Sequence, residues 1–68
     1  MRISGTVQES TRVIIINESD WTIESNTTET GSYEITGLSS GKKTVIAQAT
    51  DDYQTTGYGN ITPLAEEA

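Results

Sequence analysis

The run Arg12-Val13-Ile14-Ile15-Ile16-Asn17 decides the fold class. Its four consecutive apolar residues are all branched at Cβ, and two heavy atoms there suit a pleated strand better than a helical turn. An apolar run without alternation predicts a strand covered on both faces, and therefore a central one. It falls far short of the ~20 residues that a membrane-spanning helix needs. Outward from it the pattern changes to alternation. On the N-terminal side Gln8-Glu9-Ser10-Thr11 reads as a polar turn. Before that turn, Ile3, Gly5 and Val7 alternate with Ser4 and Thr6, which predicts a half-buried strand. On the C-terminal side Asn17-Glu18-Ser19-Asp20 supplies turn formers. Trp21 and Ile23 then share one face of a third strand, opposite Thr22 and Glu24, and both are expected in the core.

Farther along, residues 26–31 read as a polar loop in which Gly31 is free to take a positive φ. Tyr33 and Ile35 alternate with polar neighbours in a fourth strand. Gly37-Leu38-Ser39-Ser40-Gly41 is a tight connection with one apolar plug. Residues 44–49 make a fifth strand, residues 51–57 a loop, and residues 58–62 a last strand before Pro63. Nowhere does a convincing 3.6-residue period appear. The expected architecture is all-β, a small β-sandwich of about six or seven short strands. It forms one domain over residues 1–64, with an acidic tail at residues 65–68.

Composition narrows the chemistry. With 68 residues the chain is too short for two domains. Ten acids against four bases give a net charge of −6, which argues against a binder of phosphate backbones. Cysteine is absent, so there is neither disulfide nor thiolate. Histidine is absent too, which removes the usual general base and the commonest metal ligand. A serine nucleophile would lack its base. Lys42-Lys43 read as solvated charges at a strand start, where lysine discourages edge aggregation. Gly57-Tyr58-Gly59 lacks the helix and third glycine of a phosphate cradle. Asp51-Asp52 and Glu66-Glu67 read as solvated charge, because neighbours in an extended chain point apart. The expectation is a protein that is not an enzyme and takes no metal or cofactor.

What remains is a contact surface. Three N-x-S/T triplets begin at Asn17, Asn26 and Asn60, but threonine and serine are so abundant here that turn and strand chemistry accounts for them. The segment from Tyr53 to Pro63 carries two tyrosines, two glycines and no charge in an otherwise acidic chain. Interfaces deplete charge at their centre and enrich tyrosine, so Tyr53, Tyr58 and Asn60 are the candidate partner-binding residues. A last strand that merely closes the sandwich is the alternative for Tyr58 and Ile61.

The stretch Gly31-Ser32-Tyr33-Glu34-Ile35-Thr36-Gly37-Leu38-Ser39-Ser40-Gly41, followed by Thr44-Val45-Ile46-Ala47, resembles the signature of carboxypeptidase-regulatory-like (transthyretin-like, prealbumin-type) β-sandwich domains. Ile3-Ser4-Gly5-Thr6-Val7 is similar to the opening of that family. A narrower resemblance is to small domains of this type in tailed-phage virion proteins. It rests on Arg12-Val13, Thr30-Gly31-Ser32-Tyr33, Val45-Ile46-Ala47 with Asp51-Asp52 behind it, and Tyr58-Gly59-Asn60-Ile61-Thr62-Pro63. Two features depart from the family pattern: the insert before the second strand is shortened, and the aromatic expected near Thr44 is missing.

The resemblance implies an Ig-like or prealbumin-like sandwich and a structural protein of a tailed-phage virion, in the tail or as a head decoration. Its partners would be other virion proteins in a symmetric multi-copy assembly, with neither nucleic acid nor membrane as partner. The chain opens on Met1 with no apolar leader, so synthesis in the host cytoplasm and residence in the virion are expected. The alternative is a carbohydrate- or cell-surface-binding module using Trp21 or Tyr58. A third is a regulatory domain excised from a longer enzyme, which the start at Met1 disfavours.

Overall fold

The computed structural model describes residues 1–50 and 55–65. Among them the protein is all-β: β1 (Ile3–Asn17), β2 (Ile23–Ile35), β3 (Lys43–Ala49) and β4 (Thr55–Ile61) form one antiparallel sheet in the order β2-β1-β3-β4. The apolar run therefore lies in a central strand, as its pattern implies. Only one of its faces is fully covered. Val13 and Ile15 are completely buried, whereas Ile14 and Ile16 are half-exposed on the other side.

The six or seven short strands expected of a sandwich are instead four, in a single sheet. The reason is local. The polar stretch Gln8–Thr11 does not turn the chain but bulges within β1, where three residues, Gln8 to Ser10, stand opposite Thr30. Thr11 Oγ1 donates to the Glu9 carbonyl at 2.8 Å, and the Thr50 N–H donates to the Ser10 carbonyl at 3.0 Å, so the bulge is tied down on both sides. In the same way residues 26–31 continue as strand, fusing the third and fourth expected strands into β2. Threonine-rich polar sequence is as compatible with a strand as with a loop. Gly31 does take a positive φ of 77°, but inside β2 and beside that bulge.

A bulge of this size bends its strand and sharpens the local twist. The two ends of β1 thus fold toward the same side, and Ile3 joins Val13, Ile15, Ile35, Leu38 and Val45 in one buried cluster, with Tyr33 and Ile61 packed against it. Leu38 plugs the cluster from the β2–β3 connection, as the sequence suggested. The sheet curls until its beginning meets its end. The Arg2 N–H donates to the Leu64 carbonyl at 2.6 Å and the Leu64 N–H returns to the Arg2 carbonyl at 2.8 Å, while Leu38 and Met1 exchange a similar pair at 2.9 Å.

Candidate functional site

β4 is an edge strand whose outer flank faces no other strand among the described residues. Residues 55–60 are all exposed and none carries a charge. Tyr58 pairs with Val45, so it belongs to the concave side of the sheet, yet it remains 59% exposed. It stands at the mouth of a cleft of about 510 Å³, opened by the curl of the sheet. Tyr33 lines the other wall, Ala47 and Ala49 lie along β3 between them, and Thr6, Thr11 and Thr56 add hydroxyl-bearing side chains. The Tyr33 phenol is pushed above its ordinary pKa, first by desolvation and then by the negative fields of Glu29 and Tyr58. It therefore stays protonated as a hydrogen-bond donor.

Of the residues expected at a contact surface, the structure places Tyr58 in this cleft. Asn60 is exposed but lies outside the cleft wall, and Tyr53 falls outside the described residues. Asn60 adopts φ 58°, in a bulge where β4 gains a residue against β3. Its N–H donates to Glu18 Oε2 at 2.7 Å, and the same oxygen accepts from Thr44 Oγ1 at 2.6 Å. These two bonds, with Lys42 nearby, hold the Glu18 carboxyl below the usual carboxylate range.

Trp21 corrects the sequence reading. It was expected in the core, in phase with Ile23, but it is 68% exposed and Ile23 is 63% exposed. The β1–β2 loop explains why. The Trp21 N–H donates to the Asn17 carbonyl at 2.7 Å, and the Asn17 N–H donates to the Thr22 carbonyl at 2.8 Å. Trp21 thereby closes the turn just before Thr22 rejoins β1, and it turns left-handed, at φ 60°. A bulky side chain rarely adopts that conformation. Asp20 locks the loop by accepting from the Thr22 N–H at 3.2 Å and from Thr22 Oγ1 at 2.7 Å. Ile23 pairs with Ile16, which puts both on the face that carries Ile14 and Ile46, away from the core.

Lys43 is a second correction. Far from being solvated at an edge, it is 0% exposed, on the core side of an inner strand. Its Nζ lies 2.8 Å from Glu24 Oε1 and donates to Ser39 Oγ at 2.8 Å and to Asn17 Oδ1. Ser39 completes the ring, its N–H donating to Glu24 Oε2 at 3.0 Å and its hydroxyl to Asn17 Oδ1 at 3.4 Å. Lys43 first, and the Ser39 amide second, hold the Glu24 carboxyl below its ordinary pKa. An ionic cluster thus closes this end of the core. Asn17 and Lys43 are direct partners in the β1–β3 register, a relation that sequence spacing does not reveal.

Among the described residues no three acidic, histidine or cysteine side chains gather as a metal site. No family model, curated protein or solved structure matches the chain.

Proposed function

We propose that this chain is a non-enzymatic structural protein of a tailed-phage particle, in the tail or as a decoration of the head, and that it works through protein–protein contacts. The observation that carries the contact is β4, an exposed and uncharged edge strand with Tyr58 at its centre. Soluble proteins usually blunt such edges with lysine, proline or a covering loop, and strand addition to an open edge is a general mode of peptide recognition. The phage setting rests on the sequence resemblance alone. In that setting the second layer of an Ig-like or prealbumin-like sandwich comes from a neighbour lying on Ile14, Ile16, Ile23 and Ile46.

The experiment is incorporation. Particles purified through a density gradient should carry the chain in many symmetric copies. Replacing Tyr53 and Tyr58 with serine should abolish incorporation while leaving the melting temperature unchanged. A wild-type chain found only in the free soluble fraction defeats the proposal. A collapsed melting temperature in the double variant withdraws Tyr53 and Tyr58 as contact residues.

The cleft supports a second reading, a module that binds a sugar ring between Tyr33 and Tyr58 with threonine hydroxyls as hydrogen-bond partners. Here glycan binding would be lost in Tyr58→Ser while particle incorporation persisted. Absence of any glycan binding by the wild-type chain removes this reading.

A further inference from the structure

The geometry points to an intramolecular isopeptide bond between Lys43 Nζ and Asn17 Cγ, formed by the folded chain itself with Glu24 as the proton carrier. It stands apart from the phage reading, since it concerns the isolated chain. Three groups are needed to turn an amine and a carboxamide into a new amide: a nucleophilic amine, an amide carbonyl within its reach, and a base that takes the amine proton. All three meet at one end of the sheet. Lys43 Nζ contacts Asn17 Oδ1 directly, and Glu24 Oε1 lies 2.8 Å from the same nitrogen, within the range of a general base. The Ser39 hydroxyl donates to Asn17 Oδ1 at 3.4 Å and so sits where negative charge develops as the carbonyl is attacked. The departing nitrogen is held as well, Asn17 Nδ2 donating to Thr22 Oγ1 at 3.3 Å.

The backbone supplies the positioning. Asn17 and Lys43 face each other across β1 and β3, so their approach is a property of the sheet register and not of two wandering side chains. Well-oriented intramolecular partners reach effective concentrations of about 10⁵ M or more, the scale of acceleration that a sluggish carboxamide requires. Lys43 is completely buried, so its amine meets Asn17 and Glu24 shielded from solvent.

The step balances. Glu24 takes a proton from the Lys43 ammonium, the neutral amine attacks Asn17 Cγ, and the Nζ–Cγ bond forms. Glu24 returns its proton to the leaving nitrogen as the Cγ–Nδ2 bond breaks, then takes the second proton from Nζ and passes it to the departing ammonia, which leaves as ammonium. No oxidant or reductant takes part. The product is lighter by one molecule of ammonia and one unit more negative.

The bland alternative is a permanent ion pair plugging the core. Buried pairs of that kind add little net stability. A covalent tie between β1 and β3 would give a chain without cysteine, with six buried apolar residues among those described, the staple that domains of this size generally need.

The test is the intact mass of the purified full chain under denaturing conditions, followed by proteolysis and tandem mass spectrometry. The expected result is a mass lower by one ammonia and a branched peptide joining the Asn17 and Lys43 segments. Glu24→Gln keeps the amine and the amide and should stay at the sequence mass, or convert at least tenfold more slowly. A wild-type chain that holds its sequence mass after prolonged incubation at mildly alkaline pH overturns the proposal. So does ammonia loss without the branched peptide, which would signal a cyclic imide at Asn17. Neither outcome depends on whether a variant folds, because both are read on the wild-type chain.

Discussion

Gly5 offers the sharpest test of the curled sheet. It pairs with Tyr33 across β1 and β2, and the Tyr33 ring lies over its Cα. A Cβ at position 5 would stand 2.6 Å from the Tyr33 hydroxyl oxygen, 2.8 Å from Cζ and 3.0 Å from Cε1. Real contacts of this kind are about half an ångström or more longer, so Gly5→Ala must push the ring away from the core cluster it packs against. Overpacking of this sort costs about 1–3 kcal/mol. Against it stands about 0.4–1 kcal/mol gained because alanine restricts the unfolded chain. The net expectation is a loss of about 1–2 kcal/mol. For a domain of this size that lowers the melting temperature by roughly 5–15 °C, since each kcal/mol shifts it by about 4–8 °C. Thermal and urea unfolding of the wild type, Gly5→Ala, Tyr33→Ala and the double variant measure the coupling. With Tyr33 truncated the clash is gone, and Gly5→Ala should then be neutral or stabilising. Two results refute the reasoning: a Gly5→Ala variant as stable as wild type, or an equal loss in the Tyr33→Ala background.

Three further outcomes follow from the same geometry. Trp21→Gly should raise stability by roughly 0.5 kcal/mol, the relief of a left-handed side chain (about 1–2 kcal/mol) less about 0.4–1 kcal/mol that glycine costs by loosening the unfolded chain; urea unfolding measures it, and a strongly destabilised variant would mean that the indole packs after all. Tyr58→Ser should change stability by less than about 0.5 kcal/mol, in keeping with an exposed site, and a large drop in the melting temperature would assign Tyr58 to the core. Glu18 has a lowered folded pKa, so its bonds to Thr44 and Asn60 stabilise the protein above the ordinary carboxylate range and are lost as pH falls through the folded value. Melting curves between pH 7 and about pH 2 should therefore decline on the acid side, and less steeply for Glu18→Gln; identical slopes would refute it.

The sheet was legible wherever a residue's pattern and its neighbours demand the same thing. Val13 and Ile15 had to be buried, Leu38 between two glycines had to plug an end, and Asn17–Asp20 had to turn. The strand count was not legible. Gln8–Thr11 and residues 26–31 are polar and rich in threonine, a composition that fits an exposed strand as well as a loop, and only the partner strand decides between them. The second face was misread for a related reason: alternation says that Trp21 and Ile23 share a side but not which side, and the loop geometry turned Trp21 to solvent. Lys43 was misread because a charge at a strand start is normally solvated; its burial depends on Glu24, Asn17 and Ser39, three residues drawn from distant parts of the chain. The exposure of Tyr58 was legible because its segment has no charge. The opposing Tyr33 was legible only as a residue alternating with polar neighbours in a strand, and the cleft between them arises from the bulge.

The exceptions to ordinary sequence logic are not scattered. Trp21 and Asn60, the non-glycine residues with positive φ among those described, and the fully buried Lys43 all lie at the end of the sheet where the β1–β2 loop meets the start of β3 and the end of β4. Two adjacent residues organise that end. Asn17 binds Thr22 on one side and Lys43 on the other, while Glu18 ties Thr44 to Asn60. Left-handed side chains and a buried ammonium each cost free energy, and folds tolerate such costs where the surroundings enforce them and a use repays them. At the opposite end the cleft obeys the rules: small residues in its floor, hydroxyls and tyrosines on its walls, no strain. On the proposed function, the two tasks would be separated in space. The Asn17–Glu18 end supplies rigidity, through hydrogen bonds and, on the proposed chemistry, through a covalent bond. On the proposed function, that rigidity would leave β4 free to present an uncharged edge with Tyr58 at its centre, since an edge strand anchored at Asn60 can meet a partner without first being ordered.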